Sequence, residues 1–108
     1  MLKYRNKPCV VNGMRFDSRK EAQFYVAIKN SIDVKTVITQ PVFILQESFL
    51  HAKTGKKVRA IKYVADFHVF YKNGEEEIID VKGIKTQVFK IKEKMFLKKF
   101  PHLTLKIV

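Results

Sequence analysis

The chain has 108 residues, a formal charge of +12 and an apolar fraction of 46%. That length suits one ordinary domain, residues 1–108, with a radius of gyration near ~13 Å, and its four Gly and three Pro argue against a low-complexity or disordered chain. The single cysteine, Cys9, excludes an internal disulfide and a cysteine-built zinc site; no run nears the ~18 apolar residues of a membrane span, no signal peptide is read, and a cytoplasmic location is expected.

Residues 1–16 form an N-terminal arm or hairpin, with Asn12-Gly13 as its turn. Asp17 and Ser18 then offer N-cap side chains, and Ser18 with Glu21 has the capping-box spacing ahead of a helix over roughly 18–31. Val37 to Phe49 is rich in Val, Ile and Phe and predicts a strand starting after Pro41; Thr54 to Lys57 reads as a turn. Val58 to Tyr71 is a long β-rich run, Asn73-Gly74 a second hairpin signal, and Glu77 to Lys82 a short third strand. Thr86 caps a second helix that ends before Pro101, and Leu103 to Val108 alternates like a last strand. The expected fold is α/β (α+β), in the order αβββαβ, with a mixed central sheet flanked by two helices.

The charge is unevenly spread. From Lys82 to the C-terminus there are eight Lys and one acid, Glu93. A basic balance of this size points to a polyanion such as nucleic acid. Lys90, Lys94 and Lys98 recur every four residues and make one helix ridge able to follow a phosphate backbone. Lys92 and Lys99 fall within an apolar arc of Val88, Ile91, Met95 and Phe96, their stems passing along the core.

Against that background three acids and a lysine stand out. Asp80 and Lys82 are two apart on a strand and project to one face. A phosphodiester hydrolase needs oxygen ligands for Mg²⁺ or Mn²⁺ and a cation beside the attacking water, and this pair supplies both. Asp66 interrupts the largely apolar stretch Tyr63 to Phe70, where an unpaired buried carboxylate would cost several kcal/mol. Glu21 shares a helix face with Phe24, Tyr25 and Ile28, serving either as a cap partner of Ser18 or as a third acid directed at the same metal site as a further ligand. Each has a plainer reading: a solvated ion pair for Asp80–Lys82, an outward carboxylate for Asp66, a solvated face for the lysine ridge. Of the histidines only His68 falls near the proposed centre.

Glu21 on a first helix, Asp66 ending one strand, Asp80-Val81-Lys82 on the next and a basic helix after it resemble the PD-(D/E)xK nuclease superfamily. Within it, Phe16-Asp17-Ser18-Arg19-Lys20-Glu21-Ala22, the Gln40-Pro41 step, Tyr63-Val64-Ala65-Asp66-Phe67 and Asp80-Val81-Lys82-Gly83 followed by Thr86 look most like a family of short phage-encoded proteins, with Holliday-junction resolvases a more distant likeness. The resemblance implies a Mg²⁺- or Mn²⁺-dependent DNA endonuclease, with Asp66, Asp80 and the Val81 carbonyl as metal ligands, Lys82 orienting water and Glu21 as the helix-borne acid. It further implies a homodimer acting on branched or duplex DNA in the host cytoplasm, with Arg19, Lys20, Lys85 and Thr86 joining the ridge as DNA contacts. The alternative is a non-catalytic nucleic-acid-binding module that keeps the nuclease fold.

Overall fold

The computed structural model describes residues 8–108, so the first seven residues of the expected arm lie outside the described residues. The remainder of the arm is a hairpin of β1 (Cys9–Val11) and β2 (Met14–Phe16). Asn12 and Gly13 take φ values of 51° and 79°, the left-handed pair that a two-residue hairpin turn requires. Helix α1 (Arg19–Lys29) follows, and the Ser18 Oγ accepts the Glu21 amide at 3.0 Å. Its Ala22, Tyr25 and Ile28 make one buried stripe.

The main sheet contains β3 (Val34–Thr39), β8 (Phe67–Tyr71), β9 (Glu76–Asp80) and β10 (Thr104–Ile107), in the order β10-β9-β8-β3. Strands β3, β8 and β9 are antiparallel neighbours, while β10 runs parallel to β9 after the crossover through α2 (Gln87–Lys99). Among the described residues the result is a mixed sheet with two helices, an α+β arrangement. Residues alternate across it: Phe67, Val69 and Ile79 pack with α1 and Phe16, and Ile78 packs on the other side with Phe89 and Phe96 of α2.

Two expectations are corrected here. The strand expected to start after Pro41 begins at Val34, and Gln40-Pro41 bends it instead of opening it. Its continuation is β4 (Val42–Gln46) and β5 (Phe49–Leu50), and the long return run divides into β6 (Lys57–Val58), β7 (Ile61–Val64) and β8. Gln40 N–H donates to the Asp66 carbonyl at 2.9 Å and Ala65 N–H to the Pro41 carbonyl at 3.1 Å, so the ladder crosses the bend and β3 to β8 form one kinked ribbon. The bend is possible because a residue at φ 55°, Gln40, precedes a proline that has no N–H to lose.

The second correction concerns α2. Val88 and Ile91, expected in the core arc, are 61% and 59% exposed, and the buried face is Phe89 and Phe96. Lys92 and Glu93 flank that face half-buried, whereas Lys99 is exposed. The helix rotates to put its two phenylalanines, seven residues apart, against Tyr63 and Phe43, with Phe96 meeting Phe43 edge-on at 5.0 Å.

The molecule is more extended than its length suggests. The Cα radius of gyration is 16.3 Å, against the ~13 Å of a compact chain of this size. Every residue from 46 to 59, the far end of the ribbon, is exposed.

Candidate active site

Strand register brings the acids together. Phe67 pairs with Ile79 in the β8–β9 hairpin, and one further step along that ladder sets Asp66 opposite Asp80. The Asp66 amide donates to the Ile79 carbonyl at 3.2 Å, and Asp66 Oδ2 accepts the Val81 amide at 2.6 Å. Asp80, the last residue of β9, is 2% exposed. Its Oδ2 accepts a short hydrogen bond from the Tyr63 hydroxyl and lies 3.4 Å from Lys82 Nζ.

Lys82 stands just past the strand rather than within it. Its amide donates to the Val108 carbonyl and Val108 N–H to the Asp80 carbonyl, both at 3.0 Å, so the strand-like alternation continues and the two side chains share a face. Lys82 Nζ also sits 4.5 Å from the centre of the Phe89 ring, a cation–π contact that fixes the ammonium beside Asp80. Val81, between them, turns to the α1 side of the core.

Glu21 completes the group. Its backbone N–H serves the cap, while its carboxylate, 5% exposed, takes a hydrogen bond from the Gln40 side chain. Burial is the main cause that raises its pKa, and the charges of Asp17 and Asp80 add to the rise. Burial likewise pushes Asp66 up to about 7, against the pull of the Val81 amide, with the Asp80 hydrogen bond and the charges of Glu21 and Asp80 contributing. Three carboxyls thus feel one another across three separate elements. Strongly shifted groups of this kind gather at functional centres.

Tyr63 and Gln40 belong to the group and were not singled out from sequence. Tyr63 reads as one more apolar residue of a β-run; the signal was its place three residues before Asp66. Burial, and then the Asp80 hydrogen bond, drive its hydroxyl pKa well upward, so it remains a donor. Tyr63→Phe leaves Asp80 one donor short, at a cost on the order of 1–3 kcal/mol. Urea denaturation should show that loss, and an unchanged midpoint would mean that the hydroxyl does not support Asp80.

The remaining candidates fall elsewhere. His68 is engaged by Glu76, Nε2 to Oε1 at 2.7 Å, and stacks on Phe70, which ties it to the sheet surface rather than to Asp66. Thr86 Oγ1 accepts the Phe89 amide at 3.1 Å and is the N-cap of α2. Lys85 pairs with Glu93 at 3.4 Å. Arg19, Lys20, Lys90, Lys94 and Lys98 are exposed, the last three on one ridge of α2.

Among the described residues no three His, Cys, Asp or Glu side chains form a ready metal cage. Mg²⁺ does not need one: it keeps several waters and is commonly held by one or two carboxylates plus substrate phosphate. Asp66, whose carboxyl is pushed up by burial with the charges of Glu21 and Asp80 adding to the rise, lies beside Asp80 as a pair of oxygen donors that a divalent cation would bind, so the residues present fit such an ion.

Compared with known families, residues 1–108 match DUF1064, described as a protein of unknown function. The chain belongs to the DUF1064 family. No curated protein and no solved structure matches it. No helix among the described residues of this DUF1064 chain is long and apolar enough to cross a membrane.

Proposed function

We propose that this DUF1064 protein is a metal-dependent DNA endonuclease of the PD-(D/E)xK kind, phage-type and selective for branched structure. The observation that carries the reading is the junction of Asp66, Asp80 and Lys82 at the ends of adjacent strands, with Glu21 and Gln40 beside them, on a chain of charge +12. A bland ion pair would not need three buried or half-buried carboxyls converging from separate elements, two of them, Glu21 and Asp66, made costly to ionise by burial.

In this reading Asp66, Asp80 and the Val81 carbonyl would hold Mg²⁺ or Mn²⁺, which would supply a water of lowered pKa and a counter-charge for the phosphate. The protein's own residues prepare that step. Tyr63 fixes the orientation of Asp80 by donating to Oδ2, the Val81 amide fixes Asp66, and Phe89 holds Lys82 where its ammonium can orient a water and face a phosphoryl oxygen. Glu21, restrained by Gln40, sets the local negative potential. Arg19, Lys20 and the α2 ridge supply phosphate contacts. A homodimer would present two such centres to a junction.

The test is a panel of labelled duplex, flap, single-stranded and four-way DNA with Mn²⁺. Wild type is expected to cut a branched member, and Lys82→Ala to lower the rate by ~10²-fold or more with little change in binding. No cutting of any member at any protein concentration would reject the enzyme and leave a nucleic-acid-binding module.

A further inference from the structure

The kinked ribbon has a root and a tip, and only the root is used by the centre described above. Gln40, Tyr63 and Asp66 sit at its bend. Beyond Gln46 and Ile61 the same two strands leave the packed body: β5 pairs with β6 through Phe49–Val58 and Leu50–Lys57. The turn that joins them is built rather than loose. His51 N–H donates to the Lys56 carbonyl at 2.8 Å, Gly55 N–H to the His51 carbonyl at 2.7 Å, and Thr54 is tied to His51 through Nδ1. At ~3.3 Å per residue the exposed part reaches ~15–20 Å beyond Gln46.

Its composition is unusual for a free strand pair. Residues 46–59 carry Lys53, Lys56, Lys57 and Arg59 against one acid, Glu47. Interleaved with them are Phe49, Leu50 and Val58, 46%, 68% and 36% exposed. Lysines alone are a familiar way to blunt an exposed edge against aggregation; large apolar groups beside them defeat that purpose. Positive charge and apolar surface on one narrow ribbon match a polyanion that also offers apolar sugars, base faces and thymine methyls, and a two-stranded ribbon fits the major groove, about 12 Å wide. A neutral apolar protein groove would satisfy only the apolar half of this pattern.

We propose that residues 46–59 form a nucleic-acid-binding arm, with Lys56, Lys57 and Arg59 on backbone phosphates and Phe49 and Leu50 against sugars and bases. The arm rests on the reading of DNA as the partner, and it fixes the path of the strand: from the carboxylate centre at the bend, outward along the ribbon. Its contribution is separate from that of the α2 ridge, since the two lie on different elements.

The test is fluorescence anisotropy of a labelled duplex and a four-way junction with metal chelated, over a range of salt. Lys56→Ala/Lys57→Ala/Arg59→Ala should lower the slope of log affinity against log salt by about 2.7, three contacts at ~0.9 each, and weaken binding at low salt by tenfold or more. Lys29→Ala/Lys35→Ala/Lys72→Ala, which removes the same charge from exposed positions elsewhere, should leave the slope near wild type. Phe49→Ser/Leu50→Ser should weaken binding with the slope kept. Equal losses in the arm and control triples would overturn the arm. So would light scattering that shows a wild-type dimer falling to monomer in Phe49→Ser/Leu50→Ser, which would assign the surface to a second copy. Wild type that binds steeply but never cleaves would sink the nuclease reading and leave the arm standing. Wild type that binds no DNA even at low salt would end both.

Discussion

Asp80→Asn is expected to lower metal-dependent cleavage by at least ~10³-fold while the protein stays folded and still binds DNA. The substitution keeps the shape of a side chain that is 2% exposed, and the amide oxygen still accepts from Tyr63. What it removes is the charge. Asp80 is the partner of Lys82 at 3.4 Å and lies opposite Asp66 across the β8–β9 ladder, so its loss takes away one anionic ligand and frees the ammonium at once. Lys82, 27% exposed along its side chain, can turn to water, and the thermal midpoint should fall only modestly. Wild-type cleavage by a folded Asp80→Asn protein would remove the basis of the proposed chemistry.

Metal affinity is expected to climb about tenfold per pH unit up to about pH 7 and to level off above it, because one proton must leave Asp66 before it can act as a ligand. Burial, helped by Asp80 and Glu21, pushes that carboxyl from its ordinary 3.8 to about 7. The sign for stability without metal is the reverse of the usual carboxylate case. The folded value is the higher one, so the contribution of Asp66 is fully present below about pH 4 and is lost as pH rises through about 7. Added Mn²⁺ should therefore raise the thermal midpoint more at alkaline than at acid pH. Calorimetric Mn²⁺ titration at several pH values reads the slope directly, with Asp66→Asn as the variant in which binding weakens and the pH dependence disappears. A flat affinity across this range in wild type would contradict the assignment of Asp66.

Much of this is legible in the sequence. The caps at Ser18 and Thr86, the Asn12-Gly13 turn, the two helices and the alternation that sets Asp80 beside Lys82 all follow from local chemistry, which acts over three or four residues. Local chemistry also sufficed to mark Asp66 and Glu21 as acids out of place on apolar surfaces. The arc of α2 was misread because both of its flanks are apolar. Phe96 is buried as expected, but only the partners on the other side, Tyr63 and Phe43, bring Phe89 in beside it in place of Val88 and Ile91.

The decisive contributions of the tertiary structure are a register and a bend. A two-residue loop at Asn73-Gly74 would pair Lys72 with Glu75 and set Asp66 opposite Val81. The chain instead closes from Tyr71 N–H to the Glu75 carbonyl at 2.8 Å, with Gly74 at φ 92°, which moves the pairing by one residue and puts the two carboxyls face to face. The bend at Gln40 and Asp66 then delivers Tyr63 to Asp80 and Gln40 to Glu21, contacts between residues 17 and 19 positions apart in the chain. Sequence determined which residues carry charge and which local elements they occupy, because propensity and capping are short-range. Where those charges meet was decided by packing across the sheet, since a one-residue slip would turn every side chain of a strand to its other face and bury the wrong set.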